Sequence, residues 1–175
     1  LDDEDFPKRV LAELDARSLA PRLLTVELTE TGIMESPDKS AAQLARLAEH
    51  GVRIAIDDFG TGYTSFRYLR SFPVDEIKID RLFTEDLRRG SRDDSIVRAM
   101  IELGRGLGID VVAEGIETLE SCERLADLGC GLGQGFYISP PLGALEFERW
   151  RVQYERACAK VDRKSTRLNS SHITI

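Results

Sequence analysis

The sequence predicts an α/β fold of the (β/α)₈ barrel type, in incomplete form. Short apolar segments of strand length alternate along the chain with longer segments whose apolar residues recur at helical spacing. The connections between these segments are short, which favours parallel strands joined by right-handed crossovers. Only five strands can be recognised in the 175 residues, whereas a closed eight-strand barrel usually needs about 250 residues.

The individual elements follow from these patterns in chain order. We expect strands at residues 23–28, 52–56, 76–79, 110–113 and 134–138. We expect helices at residues 5–17, from 37 up to Gly51, and at 66–72, 94–105, 119–128 and 145–160. Thr118 is expected to cap the helix that stops at Gly129, because a threonine hydroxyl can accept a hydrogen bond from an unpaired amide of the first turn.

The last predicted helix carries a stripe of large side chains. Phe147, Trp150, Tyr154 and Cys158 recur there at helical spacing. Such a stripe is typical of a core-facing surface, and we interpret these residues as core rather than as a ligand site.

The composition indicates a globular protein, for which we expect a cytoplasmic location. The chain is 42% hydrophobic and 31% charged, with a formal net charge of −7. The acidic balance argues against a nucleic acid partner, although bound cations can reverse the local field at a phosphate site. No stretch approaches the roughly 18 continuous apolar residues of a membrane span. The three cysteines lack metal-ligand spacing, so we expect reduced thiols.

Charged and polar side chains stand at the downstream ends of the predicted strands. In chain order they are Glu27 and Glu30, Asp57 and Asp58, Lys78 and Asp80, and Glu114 and Glu117, while the fifth strand is bounded by Gln134. In a β/α barrel the carboxyl ends of all strands meet at one rim, where the active sites of that fold lie. Residues scattered along the sequence are therefore expected to be neighbours in space.

Several carboxylates at one rim predict a site for hard cations. They would repel one another without counter-charge, and oxygen ligands favour Mg²⁺ or Mn²⁺. Two such ions can activate water and stabilise the leaving oxygen in phosphodiester cleavage. A single carboxylate is more often a helix cap or a surface group. The adjacent pair Asp57 and Asp58, followed by a loop with Gly60 and Gly62, fits a site better than a surface.

Five motifs in order resemble those of the EAL domain family of cyclic di-GMP phosphodiesterases. They are Val26-Glu-Leu-Thr-Glu30, Ile56-Asp-Asp-Phe-Gly-Thr-Gly-Tyr63, Ile77-Lys-Ile-Asp80, Val112-Ala-Glu-Gly-Ile-Glu-Thr118 and Gly133-Gln-Gly-Phe-Tyr137. The resemblance implies a modified (β/α)₈ barrel. It also implies hydrolysis of cyclic di-GMP to linear pGpG, with two Mg²⁺ or Mn²⁺ ions as cofactors.

The resemblance also implies a role for individual residues. Glu27, Asp57 and Asp58 match metal ligands of the family, with Asp57 bridging the two ions. Glu114 matches the general base, and Lys78 matches the lysine that helps to orient the water.

Further positions match residues around that centre. Glu30 matches the residue that steadies the loop 59–65, and Glu117 and Gln134 match positions beside the substrate. Because that loop couples dimerisation to metal binding in the family, a homodimer is implied. Sensory or cyclase domains upstream, and membrane tethering through them, are compatible with the resemblance.

One departure from the family pattern is large. The Glu-Ala-Leu signature and a later asparagine, both metal-binding in the family, would lie upstream of Leu1. Residues 1–160 therefore correspond to the C-terminal two-thirds of the domain, so the barrel is expected to be incomplete at its N-terminus and this chain alone inactive. We expect residues 161–175 to form a disordered or foreign tail.

Two alternatives to a phosphodiesterase are open. One is a receptor that binds cyclic di-GMP without cleaving it. The survival of Glu27, Asp57, Asp58, Lys78 and Glu114 favours the enzyme over this reading. The other is an unrelated metal-dependent barrel, which would require all five motifs to match by chance.

Overall fold

The computed structural model of the chain describes residues 3, 5–62, 69 and 71–164, and it contains one parallel sheet. Its strands are β1 (Thr25–Thr29), β2 (Arg53–Phe59), β3 (Glu76–Ile79), β4 (Asp110–Ala113) and β5 (Leu132–Gly133). They lie side by side in sequence order, and every neighbouring pair is parallel. This order is that of consecutive strands in a β/α barrel wall. The predicted fold class, an incomplete barrel, is confirmed.

Six helices of the described residues precede, separate or follow these strands. They are α1 (Phe6–Ala16), α2 (Glu30–Glu35), α3 (Pro37–Glu49), α4 (Arg92–Leu107), α5 (Leu119–Leu128) and α6 (Ala144–Lys164). Short 3₁₀ turns at Pro21–Leu23 and Arg81–Phe83 complete the regular structure. Within the described residues, none of the helices combines the length and the apolar character that crossing a membrane requires.

Local signals in the sequence set the ends of α5. The hydroxyl of Thr118 accepts a hydrogen bond from the backbone amide of Ser121, as predicted. Gly129 ends the helix in the left-handed conformation, with φ of 83°, which glycine adopts without steric penalty. The helix that leads back to β5 is thereby fixed in length at both ends.

The two faces of the sheet differ in character, and β3 shows the division clearly. Ile77 and Ile79 are fully buried against the helices. Glu76 and Lys78, which alternate with them, face the opposite side and line a cavity. Because successive side chains of a strand point to opposite faces, one short segment supplies both the core and a polar interior. The apolar core therefore lies between the sheet and the helices.

The last strand differs from the prediction. A strand was expected at 134–138, but β5 ends at Gly133 and the chain then turns. The amides of Ile138 and Ser139 both donate to the carbonyl of Gly135. Gly135 itself packs on the backbone of Ile116, where a side chain would clash. Gly135 therefore serves a turn, not an extended strand.

The interpretation of the aromatic stripe on α6 as core is also wrong. Phe147 is 37% exposed, and Trp150 and Tyr154 are only partly buried. The three rings stack in succession along the helix, and Phe147 and Trp150 line the same cavity as Lys78. The side chain of Cys158 lies outside the described part of the structure.

Other differences concern element ends. Helix α2 was not predicted; it begins directly at Glu30, and its first turn is capped by the hydroxyl of Thr29, which accepts from the amide of Gly32. Most of the predicted helix at 66–72 lies outside the described residues. Helix α6 runs to Lys164, and the rest of the predicted tail, 165–175, is likewise outside them. The boundary at residue 160 stays a prediction.

A buried ion pair joins α4 to α5 and gives a test of stability. Arg124 donates from Nε and Nη2 to the two carboxylate oxygens of Asp94, at 2.5 and 2.9 Å. The Arg124 bond, with a further bond from the amide of Gly90, lowers the pKa of Asp94 to about 2. Asp94→Asn should therefore lower Tm by several degrees, because it removes the buried carboxylate charge that Arg124 faces and leaves the guanidinium with the longer 3.8 Å contact to Asp127.

Glu155→Gln is the matched control, and its Tm should stay close to that of the wild type. Glu155 pairs with Arg151 on the exposed surface of α6, where ion pairs contribute little. The pKa of Asp94 is lower in the folded protein than in the unfolded chain, where it is about 4. The ionised carboxylate therefore adds to the free energy of unfolding above about pH 4, and this stabilisation is lost as pH falls toward about 2. Equal melting temperatures for the two variants in thermal denaturation at pH 7 would contradict this account.

Candidate active site

A bulge in β2 brings two adjacent carboxylates to the same side of the sheet. The pairing of β2 with β3 shifts by one residue, so that Ile56 pairs with Ile77 but Phe59 pairs with Ile79. The extra residue allows Asp57 and Asp58 to face one site, whereas neighbours in a regular strand face opposite sides. Asp58 adopts a left-handed conformation with φ of 54°, which aspartate tolerates better than most residues.

Three carboxylates meet at the end of the strands. Oxygen atoms of Asp57, Asp58 and Glu114 all lie within 4.8 Å of one another. Asp57 and Asp58 come from β2, and Glu114 follows β4, so the parallel register brings distant residues together as the sequence predicted. This spacing is suited to a divalent cation with oxygen ligands.

Lys78 is the counter-charge at the centre of the group. Its Nζ lies 2.9 Å from Glu27 Oε2, 3.3 Å from Asp57 Oδ1 and 2.7 Å from Glu114 Oε1. The lysine side chain is only 7% exposed. Glu27 is not part of the three-carboxylate group and meets it through this lysine. One ammonium therefore faces three carboxylates, which leaves the site with an excess of negative charge.

Burial and neighbours change the proton affinity of these groups. Burial lowers the pKa of Lys78, but its hydrogen bonds to Glu114 and Glu27, together with the negative charges of Glu114 and Asp57, outweigh this and raise the pKa above the usual range. Burial raises the pKa of Glu114, although Lys78 acts in the opposite direction. Burial also raises the pKa of Asp58, and a hydrogen bond with Asp80 and the charge of Asp57 add to that rise. Lys78 is thus charged at neutral pH, and the carboxyls favour a cation.

The donor set fits a hard metal ion. The Oδ1 atom of Asp57 is buried and has no hydrogen-bond partner among the described residues, although Lys78 Nζ lies 3.3 Å away as an ion-pair contact. A buried carboxylate oxygen without a donor is costly. A divalent cation held by Asp57 and Asp58, with Glu114 beside it, would satisfy it with the ligand type that Mg²⁺ and Mn²⁺ prefer.

Glu30 lies behind the loop that follows the bulge. Its side chain is buried, and Oε2 accepts hydrogen bonds from the amides of Gly60 and Gly62, at 3.2 and 3.3 Å. A Cβ at residue 62 would come within 2.9 Å of the Glu30 carboxylate, so the loop backbone can approach this closely only with glycine there. These contacts are what a loop-steadying role needs, and that role stays a prediction. The end of the predicted loop, 63–65, lies outside the described residues.

Gln134 and Glu117 lie at the edge of the group. Gln134 Nε2 donates to Glu114 Oε1 at 2.6 Å. Glu117 lies 3.6 Å from the guanidinium of Arg81. The structure therefore brings every predicted site residue to this end of the sheet or to the loop beside it, with Glu27, Glu30 and Glu117 at its periphery. Their individual roles remain predictions.

The site opens into a cavity of about 800 Å³. Its floor is the inner face of the sheet, and one wall carries Phe136, Phe147 and Trp150. The sequence did not identify this aromatic wall, because helical spacing alone cannot separate a core stripe from a cavity wall. It also missed Arg81, which lines the cavity, although its position directly after Lys78-Ile-Asp80 places it at a strand end like the residues that were singled out.

Comparison with known proteins identifies the family. A family model described as EAL domain matches residues 1–141. The chain belongs to the EAL domain family. The motif resemblance in the sequence is thus confirmed, and the acidic cluster and Lys78 lie within the part of the chain that the EAL domain match covers.

Three similar proteins give the scale of the likeness. The bifunctional diguanylate cyclase/cyclic di-GMP phosphodiesterase MucR of Pseudomonas aeruginosa is 46% identical over 127 residues, which are 73% of this chain and 18% of MucR. The structure of the MucR phosphodiesterase in complex with c-di-GMP matches with a TM-score of 0.79 and 41% identity, over 83% of this chain and 65% of that one. A manganese and cy-diGMP complex of Klebsiella pneumoniae BlrP1 matches with a TM-score of 0.72 and 36% identity, over 77% of this chain and 34% of that one.

The chain therefore covers only part of these EAL proteins. It spans about a fifth of the length of the first curated relatives it matches.

Proposed function

We propose that the protein, in its longer form, hydrolyses cyclic di-GMP to linear pGpG with the help of two Mg²⁺ or Mn²⁺ ions. The observation that carries the proposal is the group of Asp57, Asp58 and Glu114 beside Lys78, at the strand ends of an EAL domain. Support comes from the MucR and BlrP1 complexes, which contain c-di-GMP and, for BlrP1, manganese.

The residues of the chain divide the work between metal binding and proton transfer. Glu27, Asp57 and Asp58 would hold the ions, which supply Lewis-acid activation of water and stabilise charge on the phosphate and leaving oxygens. Glu114, beside the same group, accepts the proton of the attacking water. Lys78 holds Glu114 and Glu27 in place through its hydrogen bonds and orients the water.

The reaction balances with water as the only co-substrate. The water oxygen forms a bond to one phosphorus, and the bond from that phosphorus to a ribose O3′ breaks. The proton taken by Glu114 is passed, directly or through solvent, to the leaving O3′, which becomes a hydroxyl. The product carries one 5′-phosphate and one free 3′-hydroxyl, which is pGpG.

We also propose that the longer protein is a cytoplasmic homodimer. A cytoplasmic homodimer would bring the loop after Asp58 to a subunit interface, where Glu30 could transmit its state to the metal site. Regulatory domains upstream would fit the length of the curated relatives, of which MucR is bifunctional.

Turnover of cyclic di-GMP tests the proposal. We expect a protein extended through the upstream strands to release pGpG with Mg²⁺ or Mn²⁺, to stop in EDTA and to recover with excess metal. The 175-residue chain alone should not turn over, because five strands leave open edges and an uncovered interior. Tight binding by the extended protein without cleavage would instead indicate a receptor, and turnover that survives EDTA would contradict the metal-dependent mechanism.

A further inference from the structure

The geometry points to Arg81 as a substrate-binding residue, one that holds the phosphate of cyclic di-GMP that is not being cleaved. This inference rests on the proposed function and goes beyond the residues that the sequence motifs identify. Arg81 begins the 3₁₀ turn after β3. Its side chain is 60% exposed and lines the same cavity as Lys78 and Glu114.

The backbone of Arg81 is fixed against the candidate base. Asp80 Oδ1 accepts a hydrogen bond from the amide of Leu82 at 2.7 Å and so caps the turn. The hydroxyl of Thr84, at the end of the turn, donates to the carbonyl of Glu114. Gly115 adopts a φ of 62°, and any Cβ there would clash with the Arg81 side chain. The first atoms of the Arg81 side chain therefore pack against Gly115, the residue that follows Glu114.

The other described cations that line the cavity are already committed. Lys78 faces three carboxylates. Arg53 lies at the opposite end of the strands and donates to Asp110 at 2.6 Å. Both are held by partners that form part of the inner face of the sheet.

Arg81 has weaker partners. It pairs with Glu85 at 3.0 Å and with Glu117 at 3.6 Å, and all three side chains are well exposed. Exposed ion pairs of this kind contribute little to stability, so an anion can replace them at small cost. An arginine fork also binds a phosphodiester in a bidentate manner that a lysine cannot reproduce.

The charge of cyclic di-GMP requires a cationic side chain in the cavity. Cyclic di-GMP carries two phosphodiesters, and only the one being cleaved can lie at the acidic cluster. The other phosphate must rest nearby in a cavity whose rim carries Glu114 and Glu117. Without a cation it would be repelled there. Arg81 is the described basic side chain that reaches this rim from outside the cluster.

The test compares two substrates on the extended protein. Arg81→Gln should raise KM for cyclic di-GMP by about 10- to 100-fold, the range for a hydrogen bond to a charged group, and leave kcat unchanged. Hydrolysis of bis(p-nitrophenyl) phosphate, which has a single phosphate, should not change. Arg81→Lys should recover part of the loss, and Arg89→Gln, on the exposed surface beside Asp127, should behave as wild type.

The kinetic and binding results for Arg81→Gln decide whether Arg81 holds the second phosphate. An unchanged KM in Arg81→Gln, or an equal loss on both substrates, would overturn the role of Arg81. If the wild-type protein binds cyclic di-GMP without cleaving it, the phosphodiesterase proposal fails, and the ratio of Kd values for wild type and Arg81→Gln decides this inference separately. If the wild-type protein neither binds nor cleaves it, both fail.

Discussion

Glu114→Gln is expected to reduce kcat for cyclic di-GMP by about 10²- to 10⁴-fold, the usual scale for the loss of a general base. The amide keeps the size of the side chain but cannot accept the proton. Glu114 Oε1 receives hydrogen bonds from Lys78 and Gln134 at 2.7 and 2.6 Å. These bonds hold the carboxylate beside Asp57 and Asp58, where the attacking water would lie.

Substrate binding separates this effect from a general loss of the site. Since Glu114 acts on the water, Kd for cyclic di-GMP should change much less than kcat. Glu120→Gln is the matched control, because Glu120 is an exposed acid in the first turn of α5. Near-normal turnover in Glu114→Gln would show that the base lies elsewhere.

Lys78→Met should lower kcat by about 10²- to 10³-fold, comparable to the loss of one preorganised charge-stabilising donor. Methionine fills most of the same volume but removes the ammonium that faces Glu27, Asp57 and Glu114. The three carboxylates would then repel one another, and the position of Glu114 would be less defined.

The pH profile gives this variant a distinctive signature. Burial raises the pKa of Glu114, and the hydrogen bond from Lys78 lowers it. Without Lys78 the pKa of Glu114 rises further. A base must be deprotonated to act, so kcat/KM is lost as pH falls through that pKa. The acid limb of the profile should therefore move to higher pH in Lys78→Met.

The control for Lys78→Met is Lys8→Met, which removes an exposed lysine paired with Asp5 on α1. Tm for both variants shows whether the fold is intact. An acid limb at the wild-type position, with only a uniform loss of rate, would mean that Lys78 does not set the protonation of Glu114.

Much of the site could be predicted because parallel strands impose it. The alternation Glu76, Ile77, Lys78, Ile79 already separates an inner from an outer face. Because the carboxyl ends of barrel strands meet at one rim, Asp57 and Glu114 are expected to lie together, although 57 positions separate them in the sequence.

The remainder depended on tertiary geometry. The bulge in β2 is a pairing irregularity between two strands, and no local pattern specifies it. The turn at Gly135 depends on a close approach to Ile116. The aromatic stripe of Phe147 and Trp150 has the spacing of a core surface, and only its place beside the cavity reveals the difference.

Location of bound manganese tests the central claim most directly. Crystals of the extended protein grown with Mn²⁺ and measured at the manganese absorption edge should show anomalous peaks enclosed by Glu27, Asp57, Asp58 and Glu114. Asp57→Asn, which replaces the carboxylate whose buried Oδ1 has no hydrogen-bond partner in the part of the chain that the structure describes, should weaken or abolish them. Peaks only elsewhere on the protein, or none in a protein that still cleaves cyclic di-GMP, would contradict a metal centre at this acidic cluster.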